Sequence, residues 1–269
     1  MTIKLAISGA SGRMGRRLLA LSDQDEAFDL VQAIEWSGFP ELGEKINRSA
    51  VIAGRARDVA WSGALAPGAD VVVDFSSPDN AAENARRAAE FGVSMVVGTT
   101  GLQTGQVDAL ARAAENIPVL FAPNFSLGVN LMFRLAAEAA KTFGDEYDIE
   151  IVEAHHNRKA DAPSGTALGL ARAVARELDR DPDRDLVHGR SGRTGGRGGR
   201  EIGMHALRMG SVAGKHTIYF CGEHECFAIT HSAESRDVFA AGALRAAKWI
   251  VAQKPGLYDM GNLLFGGEK

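Results

Sequence analysis

The segment that most restricts what this chain can fold into is GASGRMG, Gly9 to Gly15. It follows the apolar run Ile3–Ser8 and opens Arg13–Ser22, whose spacing predicts a helix. Strand, glycine turn and helix in that order begin a dinucleotide-binding βαβ unit. Gly9 permits the tight turn, Gly12 lets the backbone approach a pyrophosphate, and Gly15 allows close helix–strand packing. The helix start offers N–H groups and positive dipole to phosphates. The spacing is G-x-x-G-x-x-G instead of the commoner G-x-G-x-x-G, so the surrounding pattern carries much of the reading. Glu35 supplies part of it, closing the strand LVQAIE where an acid accepts hydrogen bonds from an adenosine ribose. Trp36 follows where an arginine would favour a 2′-phosphate. An indole can only stack on adenine, so the pair favours NADH over NADPH, although Arg13 can still reach a 2′-phosphate.

Further strands are expected at Leu30–Ile34, Ala69–Phe75, Val93–Val97 and Ile117–Phe121, with helices at Asn80–Phe91 and Val107–Glu115. Nearly continuous Val/Ile/Leu runs between helices are strands buried on both faces, hence a doubly wound parallel sheet. GTTG (Gly98–Gly101) and APNFS (Ala122–Ser126) leave the carboxyl ends of two of these strands, the edge where such sheets bind ligands. Their small and amide-bearing side chains suit a nicotinamide ribose and carboxamide; as isolated segments they are equally plain turns.

After Pro123 the pattern changes. A helix over Leu127–Phe143 leads to Asp148–Ala154, where DIEIVEA alternates polar and apolar, and another helix covers Gly165–Asp179. Alternating strands from Glu201 to His231 predict a mixed or antiparallel sheet with one face open to water or a partner. A last helix, Arg236–Ala252, is expected to pack back on the first domain. The expected division is therefore a dinucleotide-binding domain, 1–126 completed by 237–269, and a second α+β domain, 127–236, with a mixed open sheet.

The second distinctive segment is EAHHNRKADAPSGTA, Glu153 to Ala167, which places two of only seven histidines side by side. Neighbouring side chains on a strand face opposite ways, so His155 and His156 share a pocket only if the strand ends there. Pro163 disfavours helix at Ala162, and Ser164 is a good N-cap for the helix beginning at Gly165. The N–H groups of Gly165 and Thr166 would then face outwards at a helix mouth, a ready carboxylate site. Histidine moves protons near neutrality, and Lys159 can donate one or bind negative charge. The plainer alternative is structural histidines and a solvated lysine beside an ordinary capped helix.

Two other segments invite chemistry. CGEHEC puts His224 between Cys221 and Cys226, but the alternating flanks make GEHE a hairpin turn with two thiols as cross-strand neighbours. Crowded into one tight hairpin, they lack the separated pairs of a zinc site, and no metal is expected. GRSGRTGGRGGR, Gly189 to Arg200, carries Arg190, Arg193, Arg197 and Arg200 among its glycines, which predicts a mobile cationic flap sensing an anionic ligand, or a solvated loop. One short copy in a chain of net charge −4 does not make a nucleic-acid binder. No apolar run approaches the ~20 residues of a membrane span. MTIKLAISGASG enters a strand without a signal-peptide core, and two cysteines cannot build a secreted disulfide framework, so a cytoplasmic location is expected.

EAHHNRKADAPSGTA closely resembles the signature of the 4-hydroxy-tetrahydrodipicolinate reductases (dihydrodipicolinate reductases), and GASGRMG, GTTG, APNFSLGVN and ITHSAESR resemble that family's segments in the same order. The resemblance spans essentially the whole chain. It implies a Rossmann-like domain completed by the C-terminal helix, a second domain for substrate and tetramer contacts, and reduction of a cyclic dicarboxylate by NADH or NADPH in diaminopimelate and lysine biosynthesis. By motif position it makes His155 the proton donor and acceptor and Lys159 a further proton donor. It assigns the substrate to His156, Ser164, Gly165 and Thr166. It assigns the nucleotide to Gly9, Ala10, Ser11, Gly12, Arg13, Met14, Glu35, Gly98, Thr99, Thr100, Ala122, Pro123, Asn124 and Phe125. The sequence departs from the family at Trp36, where members using both coenzymes often carry arginine, and at Arg158 and Ala160, where histidine and valine are usual. Two rivals remain open: a semialdehyde dehydrogenase, which needs a cysteine nucleophile facing the nucleotide, and an NAD(P)-sensing binder, which needs no His155/Lys159 pair.

Overall fold

A computed structural model of the chain describes residues 2–46 and 59–266. It divides into two compact units, Met1–Phe125 with Arg236–Lys269, and Ser126–Ser235.

In the first unit the strands are β1 (Ile3–Ser8), β2 (Phe28–Ile34), β3 (Trp61–Ser62), β4 (Val71–Asp74), β5 (Ser94–Val97) and β6 (Pro118–Phe121), with helices α1 (Arg13–Gln24), α2 (Pro78–Phe91) and α3 (Thr104–Ala114). After the second unit the chain returns as α7 (Asp237–Ile250), β12 (Gly256–Tyr258) and α8 (Met260–Phe265). The strands form one sheet in the order β12-β6-β5-β4-β1-β2-β3, and every pairing in it is parallel. The order reverses between β1 and β4, the switch point at which a doubly wound sheet opens a crevice. Its two faces bury different side chains. Leu5, Ile7, Val71, Val73, Val96 and Leu120 pack under α1 and α7, while Ala6, Val72, Met95, Val97 and Val119 pack under α2 and α3. Period-2 alternation with apolar residues in both phases is what makes these strands read as continuous hydrophobic runs. Ala240, Ala243, Ala246 and Ala247 give α7 a face small enough to lie close on the sheet, and Arg17 on α1 forks onto Asp237 at its start (Nη2 to Oδ2 2.8 Å).

The second unit contains α4 (Leu127–Phe143), β7 (Asp148–His155), α5 (Gly165–Glu177), α6 (Pro182–Asp185), β8 (Leu186–His188), β9 (Ile202–Arg208), β10 (Gly214–Cys221) and β11 (Cys226–Ala233). Its sheet runs β11-β10-β7-β9-β8, antiparallel on one side of β7 and parallel on the other, so it is mixed. Ile149, Ile151, Met204, Ile218 and Phe220 make a core with Met132, Ala136 and Ala140 of α4 and Leu170 and Val174 of α5. Strand alternation turns Val152, Thr217 and Tyr219 to the opposite face, where Tyr219 is exposed.

The sulfurs of Cys221 and Cys226 face each other across the β10–β11 hairpin, because the two residues are directly paired in the ladder. One expectation changes: the arginine-rich segment is tied down. Arg190 bonds Glu150 and Glu201, Arg197 bonds Asp148 and Glu150, and Arg200 pairs with Asp185. Burial alone would raise the Glu150 carboxyl, but hydrogen bonds from Arg190, His205 and Arg197 hold it at about 2. These cations are spent on neighbouring acids, so they do not form the free cationic flap that composition suggests.

Ala246→Leu is expected to overpack the α7–sheet contact and lower unfolding free energy by about 1–3 kcal/mol, read from urea denaturation. An unchanged midpoint would mean that α7 does not press on the sheet.

Candidate active site

The nucleotide-type features lie at the carboxyl ends of β1, β2, β4, β5 and β6. Gly9 has a positive φ of 72°, and a Cβ there would stand 2.4 Å from the Phe75 carbonyl oxygen. A Cβ on Gly15 would stand 2.1 Å from the Gly9 carbonyl oxygen. Both positions therefore require glycine, and the turn lies flat against the sheet edge. Gly12 is the N-cap of α1, and no side chain caps that end, which leaves the first-turn donors to an incoming anion. Glu35 accepts a hydrogen bond from the Ser11 N–H at 2.6 Å. Gly9, Ser11, Gly12, Glu35, Trp36, Phe75, Ser76 and Asn80 line a recess of about 210 Å³. Trp36 is 56% exposed.

A second cavity, about 440 Å³, is lined by Arg13, Met14, Gly98, Thr99, Thr100, Pro123, Asn124 and Phe125 together with Phe75, Ser76 and Phe239. Ala10 and Ala122 are instead buried in the core beneath it. Phe75, Ser76 and Phe239 are lining residues that sequence reasoning did not single out. Behind the cavity wall is a polar knot. The fully buried Asp74 accepts from Thr99 Oγ1 (2.6 Å), Ser76 Oγ (2.8 Å) and Asn84 Nδ2 (2.7 Å), and Asn84 also donates to Ser8 Oγ (2.9 Å). It joins the ends of β1 and β4 to α2 and the GTTG turn. These residues fit a dinucleotide: an uncapped helix start behind a glycine turn, an acid beside it, and a cavity of amide and hydroxyl groups.

In the second unit β7 ends at His155, and the chain turns through a Lys159 N–H to His156 carbonyl bond of 3.1 Å. Ser164 then caps α5, its Oγ accepting from the Ala167 N–H at 3.2 Å. At the helix mouth, Gly165 is exposed and a Cβ there would meet nothing within 4 Å. Lys159 Nζ holds both oxygens of Asp161 at 2.8 Å, an ion pair whose acid is 63% exposed.

Glu153 and His155, two apart on β7, face the same side of the sheet. Glu153 is completely buried and four donors converge on it. Arg208 Nη1 and Nη2 each lie at 2.9 Å, the Ser164 N–H at 3.1 Å and His155 Nδ1 at 2.6 Å. Register explains the convergence, since β9 sets Arg208 beside His155 and β10 sets His216 beside Glu153. Burial alone would raise the Glu153 carboxyl, but the Arg208 fork and His155 outweigh it and hold it low. His216 is 3% exposed, lies edge-on to His155 with ring centroids 5.1 Å apart, and has Nε2 3.0 Å from Ser164 Oγ. Burial, helped by the charge of His155, pushes it down to about 4. At neutral pH this segment therefore presents a carboxylate, a guanidinium and a neutral imidazole around the ring of His155. Sequence reasoning missed Glu153, Arg208 and His216, although Glu153 shares the phase of the buried Ile149 and Ile151.

Known proteins match the chain along nearly its whole length. Residues 3–125 match the family model described as "Dihydrodipicolinate reductase, N-terminus", and residues 128–264 match "Dihydrodipicolinate reductase, C-terminus". The chain is 46% identical to the 4-hydroxy-tetrahydrodipicolinate reductase of Magnetococcus marinus, over 98% of this chain and 99% of that one. It is likewise 46% identical to that of Thiobacillus denitrificans, with the same coverage. Among solved structures it is similar to a dipicolinate-bound dihydrodipicolinate reductase from Paenisporosarcina sp. TG-14, with a TM-score of 0.77, 27% identity, and coverage of 98% and 100%. A structure described as a "probable dehydrogenase" from Thermotoga maritima, at 10% identity and a TM-score of 0.58, shares the fold alone.

His216, kept neutral in the fold, costs stability on acidification. The unfolded chain takes up a proton near pH 6.5 and the folded one only near 4, so stability falls as pH drops from 7 to 5. His231, also lowered by burial, acts in the same direction, while Glu153 contributes only below its unfolded value of 4.5. His216→Gln is expected to flatten the fall in urea midpoint over that window; an identical slope would refute a neutral buried His216.

Proposed function

The chain belongs to the dihydrodipicolinate reductase family and is an oxidoreductase with a nicotinamide cofactor, and we propose that it reduces 4-hydroxy-tetrahydrodipicolinate to tetrahydrodipicolinate, with His155 and Lys159 handling protons and charge. The observation that carries this reading is that His155 and Ser164, the residue that caps α5, are both hydrogen-bonded to Glu153 within the segment that resembles the family's signature.

In the overall reaction the substrate hydroxyl leaves as water, and the conjugated ring gains a hydride at one carbon and a proton at another. When bound, the coenzyme supplies the hydride and is oxidised to NAD(P)⁺. The chain's own residues do the rest. His155 delivers the balancing proton. The N–H groups of Gly165 and Thr166 take one ring carboxylate at the positive end of α5, with His156 and Ser164 beside them. Lys159 meets a carboxylate by charge. Its present partner Asp161 is largely exposed, and such a pair holds by only about 0–1 kcal/mol, so a substrate acid can replace it.

For the nucleotide, the assigned residues are Gly9 to Met14, Glu35, Gly98 to Thr100 and Ala122 to Phe125, held by a domain of 1–126 with 237–269, leaving 127–236 for substrate and assembly. Glu35 beside Trp36 favours NADH, because a carboxylate there accepts from ribose hydroxyls and repels a 2′-phosphate. The sheet face bearing Tyr219 suits self-association, and the reading includes a homotetramer in the cytoplasm; among the described residues no helix is long and apolar enough to cross a membrane.

Oxidation of NADH on fresh product of the preceding synthase tests the reaction. His155→Gln is expected to lower kcat by about 10² or more while coenzyme and dipicolinate dissociation constants stay nearly constant. An unimpaired kcat would remove His155 from the chemistry. In the same assay kcat/KM is expected to be higher with NADH than with NADPH; a clear NADPH preference would contradict the reading of Glu35 and Trp36.

A further inference from the structure

His155 is held by a neighbour to which the reading above gives no role. Glu153 has no exposure, and the Arg208 fork and the Ser164 N–H both donate to it. A carboxylate receiving a guanidinium fork and an amide can only accept. Its 2.6 Å contact with His155 Nδ1 therefore requires that nitrogen to carry a proton in either charge state of the ring. We propose that Glu153 is a positioning residue that fixes the tautomer and orientation of His155, so that Nε2 is the nitrogen that exchanges a proton with substrate. This rests on the assignment of His155 as the proton-handling group.

Three further observations support it. His155 Nε2 lies beside Gly214, where a Cβ would stand 3.2 Å from it, so glycine leaves room at that nitrogen that a side chain would take. The ring of His216 stands edge-on beside His155 and restrains its rotation. His216 is neutral and is engaged with Ser164 Oγ, so it does not compete for the carboxylate. Arg208 in turn fixes the carboxylate, because β9 is aligned with β7 at His155. The rival account makes Glu153–Arg208 only a tie between two strands. The two accounts differ in what happens when His155 is already absent.

The experiment is a double-mutant cycle on the full-length enzyme with Glu153→Gln and His155→Gln, at saturating coenzyme. Glu153→Gln alone is expected to lower kcat about 10²-fold, with less than about 3-fold change in dipicolinate affinity, and to add less than about 3-fold in the His155→Gln background. Equal loss in both backgrounds, or an unchanged kcat in the single variant, overturns the proposal. Gly214→Ala, which keeps Glu153, is expected to lower kcat by obstructing Nε2. Should Glu153→Gln fail to fold, imidazole ¹⁵N spectra of the wild-type protein decide the point: neutral His155 protonated at Nδ1 is expected, and protonation at Nε2 overturns it. Full activity of His155→Gln would instead remove the catalytic assignment, while the spectra still report whether Glu153 sets the tautomer.

Discussion

A carboxylate with no exposure must be compensated on every side, and the second unit is organised around that requirement at Glu153. An isolated buried charge costs several kcal/mol. Here two strands and a helix start each contribute to the compensation: β9 brings Arg208, β7 brings His155, and the turn before α5 brings the Ser164 N–H. The same contacts that make the charge tolerable fix the parts a proton-transfer site needs. They orient an imidazole, anchor the residue that caps α5, and set the parallel register of β7 against β9. Stability and the proposed chemistry therefore share one group.

The first unit meets an analogous requirement. Asp74, equally buried, is satisfied by two hydroxyls and an amide, and so it holds the GTTG turn and the end of β4 in place. In front of it, glycines at 9 and 15 let the first loop press against backbone atoms that any side chain would strike. On the proposed reading, a ligand with phosphates at one end and a carboxamide at the other would meet a preformed surface, assembled from loops at the carboxyl edge of the sheet.

The sheet of the first unit was legible because strands buried on both faces must be apolar in both phases, and ADVVVDF or VSMVV can be little else. The short edge strands Trp61–Ser62 and Gly256–Tyr258 were not, since two or three residues show no period. The histidine pair and its capped helix were visible from spacing and turn chemistry. Their support was not, because Arg208 and His216 lie more than fifty residues from Glu153 and only strand pairing brings them together. Glu153 left a clue in sharing the phase of Ile149 and Ile151, a polar residue where alternation demands burial. The arginine segment misled for the converse reason: composition shows cations, but the acids that neutralise them, Asp148, Glu150 and Asp185, sit elsewhere in the chain.

A crystal structure with dipicolinate bound is the most direct test of the central claim, that the carboxylate-held imidazole and the mouth of α5 act on one substrate. The account requires one ligand carboxylate on the N–H groups of Gly165 and Thr166, and His155 Nε2 facing the ligand ring, with Nδ1 still on Glu153. A ligand seated away from α5, or a His155 ring turned so that Nδ1 faces the ligand, would contradict it.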